Sequence, residues 1–300
     1  MIIVKLMGGL GNQMFQYAAG KSLATKLGVA LKIDTSFLED RSFKKDFTFR
    51  NFELSCFNIK DDFISNRQLE RFYIASNFFD KLKLNRLNQI FFNNKIPFHK
   101  IIRENSLTQK INIFNLISNN SLLEGYWQSE IYFTKHQNII RELLKFKKSN
   151  ENSDLQIEIT KSNSVSVHIR RGDYANNKVI NNVHGLCTIE YYIQAIEIIS
   201  SKVNNPNFYI FSDDMEWSKK HFNFLNQKFK ITYIVQNFKN PSEDMRLMSN
   251  CKHNIIANSS FSWWGAWLND NPDKIVISPS EWTKNNSSNP LLIPNTWLKI

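Results

Sequence analysis

Nowhere in its 300 residues does the sequence offer an apolar run of the roughly eighteen residues that a membrane-spanning helix requires. The apolar opening over 1–7 contains Lys5 and runs into Gly8 and Gly9, with neither a basic leader nor a small-residue cleavage site. A soluble chain without signal peptide or anchor is expected. Cysteine is scarce: Cys56, Cys187 and Cys251 are odd in number and far apart, which argues against a disulfide framework and a CxxC zinc site. A reducing cytoplasm suits them. Acidic residues are outnumbered 27 to 38 by basic ones, for a formal net charge of +11. Such an excess draws nucleic acid, anionic membranes or phosphorylated small molecules. No nucleic-acid recognition motif is present, and the basic residues gather over 41–148, away from the strand-end motifs below. Nucleic acid is therefore set aside. The basic stretch, interleaved with Phe and Tyr, reads as a solvated helical face or as a surface for peripheral contact with an anionic membrane.

What is present is an alternation of short apolar runs with helical spacing. A strand over 2–6 leads through a glycine turn into a helix over 13–27, which Gly28 stops, and a strand over 30–33 follows. That unit builds parallel sheets. Aromatic-rich helical spacing covers 61–93, a strand is expected over 122–127, and a helix runs on through Leu144. The polar stretch 149–163 separates this half from a second alternation. There, strands are expected over 164–169, 208–211, 231–235, 254–257 and 274–278, with helices over 189–202, near Trp217, over 243–251 and over 261–268. The expected architecture is two doubly wound α/β domains, 1–155 and 156–300, with a cleft between them.

Four constellations carry chemistry. VHIRRGDY over 167–174 falls where a strand ends: alternation sends His168 and Arg170 to one side of the sheet, and Arg171 follows in the turn opened by Gly172. Adjacent guanidiniums there suit a diphosphate, whose oxygens they grip bidentately; the plainer alternative is a structural Arg–Asp pair. MGGLGNQ over 7–13 puts backbone N–H groups at a helix start, where they can cradle an anion, and Asn12 can cap that helix or donate to a phosphate. This turn has neither the G-x-G-x-x-G order nor a Walker lysine, so dinucleotide and P-loop readings are rejected. Ser259, Ser260 and Ser262 cluster where a further helix begins, a second anion seat. Trp263, Trp264, Trp267, Met245 and Met248 read as packing, and Cys251 with His253 lacks further ligands for a metal. FSDDMEW over 211–217 carries paired carboxylates that either hold a divalent metal or cap a helix through Ser212 or Asp213.

Taken together, HIRRGDY over 168–174, SDD over 212–214, CKHNIIANSSFSWW over 251–264, GGLGNQMFQYA over 8–18 and EGYWQS over 124–129 resemble the bacterial α-1,2-fucosyltransferase family, glycosyltransferase family 11. The resemblance spans both halves; only residues from about 37 to 122 offer nothing recognisable. It implies a GT-B fold, two Rossmann-like domains facing each other across a cleft. The domain over 1–155 would bind mainly the acceptor and that over 156–300 the GDP-fucose. It further implies inverting transfer of L-fucose to the 2-hydroxyl of a galactose-type acceptor, an oligosaccharide or lipid-linked glycan, in the cytoplasm or on the inner face of the bacterial membrane. Carried over by position, Arg170 would bind the β-phosphate with Arg171 beside it, and His168 and Asp244 would lie toward the guanosine. Ser259, Ser260 and Ser262 would complete the diphosphate seat, reached from the first domain by Gly11 and Asn12. No metal and no cofactor are expected. Related α-1,6 enzymes have an acidic base several places beyond the arginine pair, whereas the corresponding stretch here, Ala175-Asn-Asn-Lys178, offers no carboxylate. Asp173 is the nearest carboxylate, either the base or the ion-pair partner of Arg171. A lectin-like module would use the tryptophans but would need no arginine pair.

Overall fold

The computed structural model describes residues 1–42, 48–81, 100–105, 117, 119–148, 152–172, 185–235, 240–284 and 289–300. Two compact units divide the chain: residues 1–147 with 289–292, and residues 148–288 with 293–300.

The first unit is built on a parallel sheet in the order β3-β2-β1-β5-β4. Its strands are β1 (Ile2–Lys5), β2 (Leu31–Asp34), β3 (Asp62–Phe63), β4 (Lys100–Arg103) and β5 (Ser121–Glu124). Ile2, Ile3 and Val4 are fully buried, as a central parallel strand covered on both faces requires. Helix α1 (Leu10–Leu27) ends at Gly28, whose φ of 63° is the left-handed turn that glycine supplies without strain. The helix begins three residues earlier than its apolar spacing implies, because the carboxylate of Glu53 accepts the Leu10 N–H at 2.8 Å and completes the first turn. Asn12 does not cap it: the N-cap is Gly9, without a side-chain bond. Of the helical spacing over 61–93, Asn66–Lys81 is a helix and Asp62–Phe63 pairs as β3; residues 82–93 lie outside the described residues.

The strand expected over 122–127 stops at Glu124, and the reason is electrostatic. Glu104 turns its carboxylate under the chain and accepts the N–H groups of Tyr126 at 2.7 Å and Trp127 at 3.0 Å, withdrawing both from the ladder. Gly125 permits this, since a Cβ there would lie 2.3 Å from Glu104 Cβ. Trp127 is left with φ 53°.

The second unit carries a parallel sheet in the order β11-β10-β9-β6-β7-β8. The strands are β6 (Ser164–Ile169), β7 (Asn207–Ser212), β8 (Lys230–Ile234), β9 (His253–Ile255), β10 (Val276–Ser278) and β11 (Leu298–Lys299); the last has no counterpart in the sequence reading. The polar stretch over 149–163 is not a linker throughout. It contains the helix Ser153–Lys161, with Asp154 in its first turn, Lys161 in its last and Ile159 buried beneath it. Helix Ile189–Lys202 is capped by Thr188 and lays Tyr192, Ala195, Ile196 and Ile199 on the core formed by Val165, Val167, Phe208 and Ile210. Trp263, Trp264 and Trp267 stack among themselves inside, and Met245 and Met248 are buried, so these residues pack as expected. Among the described residues no helix is long and apolar enough to cross a membrane.

Candidate active site

Where a parallel sheet reverses its strand order, the loops following the two strands at the reversal diverge to leave a binding crevice at the carboxyl edge. In the second sheet the reversal lies between β6 and β9. The register aligns Ile169 with Ser212 of β7 and Val167 with Ile255 of β9, so the ends of three neighbouring strands carry three of the motifs read from the sequence.

Asp213 organises this edge. One oxygen accepts the Arg171 backbone N–H at 2.7 Å, and the other pairs with Arg170 Nη1 at 2.7 Å. Gly172 is required here because a Cβ would meet Asp213 Oδ2 at 2.7 Å. Asp214 caps the helix Met215–Phe222 by accepting the Trp217 N–H at 3.2 Å and meets Arg171 Nε at 3.3 Å. The Arg171 guanidinium also lies 3.9 Å over the Trp217 ring, which is stacked on His221 at 4.3 Å. The two arginines therefore differ. Arg170 is tied end-on to a largely buried carboxylate, while Arg171 is sandwiched against an indole and a capping aspartate. Capping falls to Asp214, not to Ser212 or Asp213, because Ser212 Oγ is engaged with the Asp214 N–H and Asp213 with the arginines.

His168 sits inside the same edge, 6% exposed, with its ring 5.7 Å from that of Phe261. Burial pushes its pKa down to about 4, Arg170 adding to the shift and Asp213 opposing it. The unfolded chain takes up this proton near the ordinary value of 6.5 and the folded one only near 4. His168 thus favours folding fully above the upper value and less as pH falls between the two. Melting temperature followed over that range should fall less steeply for His168→Gln than for the native protein; equal slopes would remove the assignment.

Ser259 is the N-cap of helix Ser260–Leu268, its Oγ accepting the Phe261 N–H at 3.3 Å. Ser262 Oγ donates to the carbonyls of Ser259 at 3.3 Å and Ala257 at 3.5 Å, so its hydroxyl is turned inward. Ser260 opens the helix and is partly exposed. Asp244 is buried in the first turn of Pro241–Asn250, a helix that packs on Ser260–Leu268. His253 accepts the Ile275 N–H at 3.0 Å through Nδ1 and Cys251 donates to the Leu247 carbonyl, so both are structural. Among the described residues no cluster of acidic, His and Cys side chains has metal-binding geometry. Asp173 lies outside the described residues.

In the first unit β1 and β5 are parallel neighbours. Gly11 is buried in the opening turn of α1, and Asn12 Oδ1 accepts from Gln128 Nε2 at 2.8 Å, joining the loops after those two strands. The anion at this helix start is the protein's own Glu53, whose pKa burial raises while the Leu10 N–H and Arg50 pull it back.

A family model for glycosyl transferase family 11 matches residues 1–290. The chain belongs to that family. The resemblance carried by the five motifs is thus borne out over nearly the whole length, and the protein is a glycosyltransferase. The family 11 chain is similar to an alpha-1,2-colitosyltransferase of Escherichia coli, 37% identical over 311 residues covering 100% of this chain and 98% of that protein. It is also similar to the O-antigen biosynthesis glycosyltransferase WbnK of Escherichia coli, 35% identical over 98% of this chain and 99% of that one. A mutant of Arabidopsis thaliana FUT1 in complex with GDP shares the fold, with TM-score 0.51 and 12% identity over 98% of this chain and 74% of that chain. The fold of this glycosyltransferase is of the GT-B type, with each of its two α/β units on a parallel sheet.

The sequence singled out Asp213 as a metal ligand or cap and missed its grip on Arg170. The SDD run was visible, but only strand order reveals that β7 ends beside β6. Glu53, Glu104 and Gln128 gave no separate signal.

Proposed function

We propose that this glycosyltransferase moves L-fucose from GDP-fucose to the 2-hydroxyl of a galactose-type acceptor, inverting the fucose carbon and releasing GDP. The observation that carries the reading is Arg170, held by Asp213 at the reversal of the second sheet, beside the start of helix Ser260–Leu268. As the glycosidic bond breaks, the diphosphate gains charge, and a preorganised guanidinium with helix-start donors stabilises that charge more than it stabilises the ground state. Within this proposal the second unit binds the donor, with His168 and Asp244 toward the guanosine and Arg171, Ser259, Ser260 and Ser262 around the diphosphate. The first unit binds mainly the acceptor and contributes Gly11 and Asn12 to the donor. Asp173 accepts the proton of the acceptor hydroxyl. The name of the WbnK relative supports an O-antigen glycan as acceptor; a lipid-linked form of it, handled at the inner membrane face, completes the proposal.

A second reading replaces fucose by colitose and is favoured by the colitosyltransferase relative that matches the whole chain. Incubation with GDP-fucose or the corresponding colitosyl donor, a panel of β-galactosides, and linkage analysis of the product separates them. Fucosyl transfer to the 2-hydroxyl is expected; transfer from the colitosyl donor alone would establish the second reading. No divalent cation is required in this proposal, since Asp213 and Asp214 are engaged by Arg170, Arg171 and backbone N–H groups. EDTA should leave the rate nearly unchanged. Inhibition reversed by Mg²⁺ or Mn²⁺ would make those two carboxylates metal ligands instead.

A further inference from the structure

The loop over 125–129 follows β5, the neighbour of β1 in the first sheet, and has a conformation that packing alone does not require. Trp127 adopts φ 53°, a left-handed backbone that bulky residues take only when their surroundings impose it. Three contacts impose it here. Its indole is fully buried, edge-on to Tyr132 with centroids 5.4 Å apart; Glu104 binds the N–H groups of Tyr126 and Trp127; and the Ser129 N–H donates to the Trp127 carbonyl at 2.8 Å. The turn holds Trp127 inward and leaves Tyr126 displayed, 44% exposed, past the carboxyl end of β5. Two residues further on, Gln128 is oriented by its bond to Asn12.

We propose that Tyr126 is the platform on which the galactose-type acceptor stacks, with the Gln128 carboxamide hydrogen-bonding the sugar's hydroxyls. This deepens the proposed function and rests on it. One face of a galactopyranose ring is lined by C–H groups and its rim by hydroxyls. An exposed aromatic face beside an amide that both donates and accepts matches that pattern. A charged acceptor group is not called for, because Glu104 already holds the loop's two outward N–H groups.

The test uses the full chain with GDP-fucose and a β-galactoside. Tyr126→Ala should raise the acceptor KM about tenfold or more, and Tyr126→Phe should stay within roughly threefold of the native protein, since the ring face and not the hydroxyl makes the contact. GDP affinity and the slow hydrolysis of GDP-fucose without acceptor should be unchanged in both. An unchanged acceptor KM in Tyr126→Ala overturns the proposal, as does an equal loss in Tyr126→Phe or a parallel fall in GDP affinity. If the native protein neither transfers from nor hydrolyses GDP-fucose, it is the donor assignment that has failed. Saturation-transfer NMR with the β-galactoside alone then decides on Tyr126: signal lost in Tyr126→Ala and kept in Tyr126→Phe supports the platform, and equal signal in all three proteins rejects it.

Discussion

Arg170→Lys should lower turnover about 30- to 1000-fold, the equivalent of about 2–4 kcal/mol of transition-state stabilisation. The substitution keeps the positive charge, and it can keep an ion pair to Asp213. It loses the planar fork. In the native protein one nitrogen of that fork, Nη1, is fixed on Asp213 at 2.7 Å, which sets the orientation of the whole guanidinium. An ammonium drawn to the same carboxylate presents no second, rigidly placed nitrogen for a phosphate oxygen. The loss should therefore appear mainly in kcat, with GDP binding reduced less, because the charge on the diphosphate grows as the bond breaks. Turnover near the native level would show that Arg170 serves the fold and not the reaction.

A loss of comparable size is expected for Asp173→Asn, about 10² or more in kcat with GDP affinity nearly intact, as removal of a general base requires. Asp213→Asn supplies the contrast. Its amide can still accept the Arg171 N–H, but it takes the Asp213 charge away from Arg170, so GDP affinity and kcat should fall together. Arg171 has its own partners in Asp214 and Trp217. Calorimetric GDP affinity measured beside kcat in both variants tests this division. If Asp173→Asn weakens GDP binding as Asp213→Asn does, Asp173 is a positioning residue and not the base. An unchanged kcat would leave the proton to a carboxylate of the first unit or to a donor phosphate oxygen.

The alternation of apolar runs was enough to foresee two α/β units, because parallel strands buried on both faces announce themselves as runs such as Ile2-Ile-Val4. Element ends were less legible where a distant side chain sets them. Glu53 extends α1 and Glu104 truncates β5, and each carboxylate lies far along the chain from the N–H it binds. The site was legible as a set of strand-end motifs, since His168 lies at the end of β6 and Arg170, Asp213 and Ser259 follow the ends of β6, β7 and β9, which are neighbours. Their division of labour was not. Whether a hydroxyl faces a crevice or a carbonyl, as for Ser262, depends on rotamers within one helical turn, and no spacing encodes that.

Residues 289–292 belong to the first unit although more than 140 residues of the second precede them. Within that unit Ser129 Oγ donates to the Leu291 carbonyl. On the ribosome, where amino-terminal domains ordinarily fold before the rest of the chain is made, the first unit must wait. Its loop over 125–129 gains a closing contact only after residue 291 has left the exit tunnel, so a nascent chain arrested earlier holds the sheet without that anchor. Synthesis of the two units is consequently sequential, while their completion is nearly simultaneous.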